Sequence, residues 1–500
     1  MKCRRQPIVY PKEETAVELK KLLDGVSYEV LQGNTDTKVE KIEYDSRKIA
    51  EGDVFVCVTG FQTDGHKFGA KAVENGAAVL VCEHLPEGIG EEIAVIQVKN
   101  AREALALMAV NFYNDPSKKM HVIGVTGTNG KTTTTYLIKS ILDHIGKKVG
   151  VVGTIENRIG DRVLHTERTT PESKELQELL DTMVKEDVSH VVMEVSSHSL
   201  DLHRVDGISY EIGIFTNLTQ DHLDYHKTME NYKEAKSKLF ERAEKSVINL
   251  DDAAGNYMKD KANGQVLTIA VEKDADLHAR DIVISAEGTD FSLTWEGGIF
   301  HVHLSTPGRF SVYNALGAIG ACLFLGVSME DIIGGLHDNH GVAGRFQAVR
   351  SRKGFQAVVD YAHTPDGLDN ILKTAREFAQ GRIITIFGCG GDRDKTKRPI
   401  MGEIAGKGSD YCIITSDNPR TEDPLTILNE VEAGMKKTLC SYEKIADRKE
   451  AILKGSEMAK PGDVIIIAGK GHENYQIFKD CTIHFDDMEE IRKAFGEDCL

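Results

Sequence analysis

The segment that most constrains this chain is HVIGVTGTNGKTTTTYLIKSILDHIG, residues 121–146. An apolar, β-branched run stops at Gly127, small and polar residues follow, and from Lys131 the apolar positions recur with a helical period. A strand that turns this sharply into a helix leaves the first backbone N–H groups of the helix unpaired, facing the turn at the positive end of the dipole. Such a turn is an anion cradle, and it belongs in a parallel sheet covered by helices. Thr126, Gly127, Thr128, Asn129 and Gly130 would line it, Lys131 would reach the β- and γ-phosphates of a nucleotide, and the Thr132 hydroxyl would bind Mg2+. Val125 stands where the usual phosphate-loop pattern has its first glycine. The alternative, a glycine-rich turn without function, is disfavoured by the strand before it and the helix after it.

Before this segment, short β-rich runs such as DVFVCV and AAVLVCE alternate with the helical REALALMAVNFY, until NDPSKK (114–119) makes a polar, proline-containing link. After it, KVGVVGT, a helix near 172–186 and HVVMEVSSH continue the strand–helix alternation. A second boundary falls near Gly344-Arg345. Beyond it, AVVDYAH, IITIFGCGGDRD, YCIITSDNPR and VIIIAGKGHE each begin apolar and end in Gly, Asp, His or Arg. In open parallel sheets ligands bind outside the carboxyl ends of the strands, so these ends should converge on one crevice. The expected fold is α/β in three domains, 1–117, 118–345 and 346–500, with a central phosphate-loop ATPase-type parallel sheet and a C-terminal Rossmann-like domain.

A formal charge of −17 argues against a general nucleic-acid or membrane-surface binder, so an anionic substrate must be held by local basic groups. No run approaches the ~18 apolar residues that span a bilayer, and no membrane insertion is expected. The nine cysteines are scattered without metal-type spacing, as in a reduced, cytoplasmic protein; only Cys389, in GCGGD, sits in a suspicious loop.

Glu194, closing the strand in VVMEVSSHSL, is placed as an acidic residue opposite a phosphate loop must be to hold Mg2+; a buried ion pair with a lysine is the alternative. FTNLTQDHLDYH ends another strand in Asn217, Asp221, His222, Asp224 and His226, a set suited to a second cation or to plain hydrogen bonding. Lys236, in NYKEAKSKLFERA, shares a helix side with Tyr232 and Leu239-Phe240; from sequence alone it is a snorkelling surface lysine.

Taken in order, GTNGKTT, TTPES, EVSSHSL, NLTQDHLDYH, YKEAKSKLF, VYNALGAIGA, GRFQAV, DYAHTPDGL, GDRDKTKRP, DNPRTEDP and GKGHE resemble the Mur ligase family, ATP-dependent amide-forming enzymes of peptidoglycan synthesis. DSRKIAEGDVFVCVTGFQTDGHKF resembles the family's uridine-binding domain. The resemblance implies a UDP-muramoyl-dipeptide partner contacted by Ser46, Phe61, Gln62 and Thr63, with Thr169, Thr170, Ser196 and Arg204 on its muramoyl-peptide arm. It implies ATP at the loop, Asn314 and Asp360 at the adenosine and Arg345 near the γ-phosphate. Two Mg2+ sites are implied, served by Thr132, Glu194, His222 and a Lys236 carbamylated by CO2. The implied catalytic set is Lys131, Lys236, His222 and Arg345, in an enzyme expected to be monomeric.

The amino-acid pocket is expected at the C-terminal strand ends, among Arg393, Asp417, Asn418, Pro419, Arg420, Gly469 and Glu473. Guanidinium forks grip carboxylates bidentately and a glutamate suits a distal ammonium. Meso-diaminopimelate offers a second carboxylate that L-lysine lacks, and in the family Asp-Asn-Pro-Arg here goes with diaminopimelate. A structural salt bridge from Arg420 to Glu422 or Asp423 is the bland alternative. The competing functions are the same ligase using L-lysine, a folylpolyglutamate-synthase-like ligase, and a non-catalytic ATP-binding regulatory protein.

Overall fold

The computed structural model describes residues 16–60, 63–166 and 168–499. The chain divides into two compact units, one of residues 1–124, 147–213 and 238–244, the other of 125–146, 214–237 and 245–500. Among the described residues no helix is long and apolar enough to cross a membrane.

The first unit opens with a five-stranded sheet. Ile42–Glu43, Val54–Val56, Val79–Cys82 and Ala94–Val98 run parallel, and Tyr28–Gln32 closes the edge antiparallel. Its inner strands bury both faces, which is why they read as continuous apolar runs. The helix Ala101–Phe112, capped by the Asn100 side chain, packs on one face. The expected polar link at 114–119 is not an open tether. Pro116 and Ser117 are buried in a short 3-10 turn, and Ser117 Oγ donates to Asp115 and accepts the N–H of Ser209. Further along, Val149–Val152 pairs in parallel with His190–Glu194, and the strongly amphipathic helix Ser173–Lys185 lies between them in sequence.

In the second unit, Lys245–Asn249 and Gln265–Ala270 are parallel, and Leu277–Ser285, Gly288–Trp295 and Gly298–Leu304 add an antiparallel meander. The meander is an addition to the expected parallel sheet, and tight turns near Gly288 and Gly297 build it. The last sheet orders Gln347–Arg350, Gln356–Asp360, Val464–Ala468, Ile383–Phe387, Tyr411–Ile414 and Ser441–Lys444. All its neighbours are parallel except the first pair. One face packs on the helices Pro365–Phe378, Lys397–Gly408 and Pro424–Met435, the other on Arg448–Met458 and Asp487–Phe495. The four apolar runs singled out in the sequence are adjacent parallel strands here, so their carboxyl ends share one edge.

Below that edge sits a fully buried ion pair. Arg448 donates from Nε and Nη2 to the two oxygens of Asp487, each at 2.7 Å, and from Nη2 to the carbonyl of Ala468 at 3.0 Å. The pair clasps one strand end to the helix Asp487–Phe495. Truncating one partner strands a buried charge, so Arg448→Ala is expected to lose about 3–5 kcal/mol of stability in urea unfolding, whereas a surface lysine truncated alongside should cost under about 0.5 kcal/mol.

Candidate active site

The strand His121–Thr126 leads into the loop, and the helix Lys131–His144 follows it. Gly130 caps the helix at φ +87°, and a Cβ there would stand 2.3 Å from Asn314 Oδ1; at Gly127 a Cβ would stand 1.8 Å from Thr216 Oγ1. Both glycines are therefore required by close approach. The loop is fastened from outside: Asn217 Oδ1 accepts the N–H of Asn129 at 2.9 Å, Thr216 Oγ1 donates to the Asn129 carbonyl at 2.6 Å, and Asn129 Nδ2 donates to Asp366 Oδ2 at 2.7 Å. Sequence reasoning gave Thr216 and Asp366 no role. The signal for Asp366 was its place in DYAHTPDGL, but nothing in spacing ties it to a loop 237 residues away.

Two ammonium groups converge on the loop. Lys131 Nζ donates to the carbonyls of Gly127 and Thr128 at 2.9 and 2.8 Å, and Lys236 Nζ donates to Gly127 at 2.7 Å. Lys236 is 1% exposed, which overturns its reading as a snorkelling surface lysine. Its amine lies over the Tyr232 ring, and Tyr232 OH is 3.2 Å from Thr128 Oγ1. Burial pushes the Lys236 amine well below the ordinary lysine range; Lys131 pushes the same way and Asp221 opposes. Asp221, though burial raises it, is brought down to about 2 by His222, His363 and Lys397. His222 follows in a left-handed conformation, Nε2 3.3 Å from Asp221 Oδ2, while His226 is buried.

Arg345 Nη2 donates to Thr132 Oγ1 at 3.0 Å, its guanidinium stacks 4.5 Å over the Tyr361 ring, and its Nε is buried without a hydrogen-bond partner among the described residues. Asp360 accepts N–H groups from Phe346 at 2.6 Å and Ala362 at 2.7 Å, anchoring the turn that carries Arg345.

At the carboxyl edge of the last sheet, Arg420 adopts φ +54°, its N–H bonded to Ile477. Its guanidinium donates to the Gly391 carbonyl at 2.7 Å. The two acids expected to pair with it are engaged elsewhere: Glu422 is held by the fully buried Arg398 and by Lys395, and Asp423 caps the helix Pro424–Met435. Hydrogen bonds from Arg398, outweighing burial, hold the Glu422 carboxyl down to about 2. Among the described residues Arg420 has no ion-pair partner, so the structural salt-bridge reading fails. Arg393 is exposed, and a Cβ on Gly390 would stand 2.9 Å from Arg420 Nη1 and 3.9 Å from Arg393 Cγ, so both arginines flank that glycine. Asn418 Nδ2 donates to Glu473 Oε2 at 2.8 Å, and Asp417 Oδ1 is buried with no hydrogen-bond partner among the described residues. Cys389 is buried and its thiol pushed up to about 12 by burial, so it is no nucleophile.

The first unit gathers a separate set. Glu194, 1% exposed, accepts from Thr154 N at 2.8 Å and Thr154 Oγ1 at 3.0 Å. Thr154 Oγ1 also meets Thr169 at 3.0 Å, and Thr170 Oγ1 donates to the Glu194 carbonyl at 2.8 Å and to Ser196 at 3.4 Å. Arg204 lies 3.3 Å from Glu172. Ser46 is nearly buried, its carbonyl bonded by Asn75, and Thr63 is exposed; Phe61 and Gln62 lie outside the described residues. Asp64, His66 and His84 bring ligand-type atoms close together. His66 Nε2 accepts the N–H of Glu83 at 2.9 Å, so Nδ1 carries the proton given to Asp64 at 2.6 Å, and the ring has no lone pair left for a metal.

Residues 38–113 match the Mur ligase family catalytic domain, 125–322 the Mur ligase middle domain, and 344–471 the Mur ligase glutamate ligase domain. The chain is 50% identical over 485 residues, 96% of its length and 100% of the relative's, to the UDP-N-acetylmuramoyl-L-alanyl-D-glutamate–2,6-diaminopimelate ligase of Clostridium botulinum. A relative of the same name from Bacillus velezensis is 45% identical, covering 96% of this chain and 99% of its own. A solved structure of a ligase with that name aligns with TM-score 0.70 at 34% identity, covering 96% of this chain and 99% of that one.

Proposed function

The chain belongs to the Mur ligase family, and from that premise we propose that it is an ATP-dependent, ADP-forming ligase that joins meso-diaminopimelate to a carboxylate of UDP-N-acetylmuramoyl-L-alanyl-D-glutamate in peptidoglycan synthesis. The domain organisation we assign it is 1–117 for the uridine nucleotide, 118–345 for ATP and 346–500 for the amino acid. The family matches at 38–113, 125–322 and 344–471 support that division. We place it in the cytoplasm as a monomer.

The loop residues fit a polyphosphate. Lys131 gives its ammonium and Lys236 its buried amine to loop carbonyls, and Arg345 rests on the Thr132 hydroxyl, its buried Nε–H without a partner among the described residues. A hydroxyl is a weaker partner for that guanidinium than a phosphate oxygen. The hydroxyl of Thr132, the imidazole of His222 and, in the first unit, the carboxylate of Glu194 are each of a kind that a divalent cation accepts, and the family resemblance is what names them together. Bound Mg2+ would neutralise charge on the transferring phosphoryl group. Lys236 is the candidate for a carbamate, since the uncharged form of an amine is the one that reacts with CO2 and burial pushes Lys236 towards it; the modification, with loss of a proton, would put an anionic metal ligand in its place.

The chemistry follows from charge. A carboxylate is a poor electrophile, so transfer of the γ-phosphoryl group activates it as an acyl phosphate. The amine then attacks, and the tetrahedral oxyanion collapses with loss of phosphate. Lys131 and Arg345 meet the charge that develops on the phosphoryl oxygens. Asn129, gripped by Asn217 and Asp366, keeps the loop from relaxing as charge moves. Holding the reactants in line is worth about 7–11 kcal/mol when geometry is good.

The observation that carries the choice of donor is Arg420: a guanidinium presented by a residue at φ +54°, resting on a backbone carbonyl and without an acidic partner among the described residues. Phosphate release should require ATP, the UDP-muramoyl-dipeptide and the amino acid together. Release from ATP alone at the full rate would refute the ligase reading.

A further inference from the structure

Lys470 follows the strand Val464–Ala468 and is 0% exposed. Its ammonium is 2.9 Å from Glu473 Oε2, 3.4 Å from Asn418 Oδ1 and 3.8 Å from Asp417 Oδ1, with the Tyr475 ring at 5.4 Å. A buried lysine is costly unless paired, and this one touches three residues of the proposed amino-acid pocket at once. The contacts interlock. Asn418 Nδ2 donates to the same Glu473 oxygen, and Asn418 Oδ1 accepts the N–H of Ile477 at 2.9 Å. The Glu473 oxygen therefore has two donors before any substrate arrives.

We propose that Lys470 is the positioning residue of the amino-acid pocket: its ammonium pins Asn418 and Glu473 and holds Asp417 Oδ1 from 3.8 Å, beyond hydrogen-bond reach, so that this oxygen can still accept a hydrogen bond from an ammonium group of the incoming amino acid. This rests on the assignment of the pocket to the amino-acid substrate, and it revises the expectation that Glu473 alone receives the distal ammonium. Without the Lys470 charge, the Asp417 and Glu473 carboxylates lose the ammonium that both approach. Asn418 and Glu473 then lose the contact that fixes them, which dismantles the prepared site.

The test is a steady-state comparison of wild type, Lys470→Met and Lys470→Arg, with KM measured separately for the amino acid, ATP and the UDP-muramoyl-dipeptide, beside thermal unfolding of each protein. Lys470→Met is expected to raise the amino-acid KM on the order of 30-fold while kcat and the other two KM values stay within about threefold; Lys470→Arg should recover most of the loss. An amino-acid KM within threefold of wild type, or all constants falling together, would overturn the proposal. If Lys470→Met does not fold, Lys470→Gln combined with Asp417→Asn removes both charges of one pair. It should raise the amino-acid KM at least about fivefold beyond Asp417→Asn alone, and no further change overturns the proposal. The wild-type arm separates the two readings: preference for a donor other than meso-diaminopimelate corrects the substrate, whereas the variants judge Lys470 with whichever donor is used.

Discussion

Lys236→Ala is expected to lower turnover at least about 1,000-fold without unfolding the protein, and short carboxylates such as formate or acetate should restore part of it. The expectation follows from burial. The amine is buried against Tyr232 and one loop carbonyl, and desolvation with Lys131 close by drives it towards neutrality. A neutral buried amine can become a carbamate, and alanine leaves a space that a small carboxylate can enter. Protein equilibrated with 13C-labelled CO2 should show one carbamate signal that Lys236→Ala lacks. A fully active Lys236→Ala, or a labelled protein without that signal, contradicts this role.

Arg420→Ala is expected to cut kcat/KM for meso-diaminopimelate about 100-fold or more while KM for ATP changes little. The guanidinium now rests on a carbonyl, so removing it breaks no ion pair among the described residues and the loss reports on the substrate. Arg420→Lys should recover little, because an ammonium cannot make the bidentate contact with a carboxylate. The discrimination against L-lysine should shrink in the same variants, since it rests on leaving a charged fork unpaired. An Arg420→Ala enzyme that keeps both its rate and its preference would remove Arg420 from the pocket.

The phosphate loop and the shared edge of the last sheet were legible in the sequence, because strand–turn–helix punctuation and apolar runs ending in polar residues are local signals. Arg420 was legible for the same reason: Pro419 and the polar residues around it stop a strand abruptly. Lys236 was not. Its helix face was correct, but a lysine beside Tyr232 and Leu239 can snorkel, and only the placement of the Gly127 carbonyl decides that it does not. Contacts such as Asn129–Asp366 and Arg448–Asp487 escaped because polar pairing across 237 or 39 residues leaves no periodic trace. The antiparallel meander at 277–304 was missed because its alternation sits inside a region dominated by strand–helix units.

The central claim is most directly tested by phosphate release from the wild-type protein with ATP, Mg2+ and UDP-N-acetylmuramoyl-L-alanyl-D-glutamate, measured with meso-diaminopimelate and with L-lysine in separate reactions. Rapid release is expected with meso-diaminopimelate, and kcat/KM at least about 100-fold lower with L-lysine. Equal or faster release with L-lysine would contradict that claim.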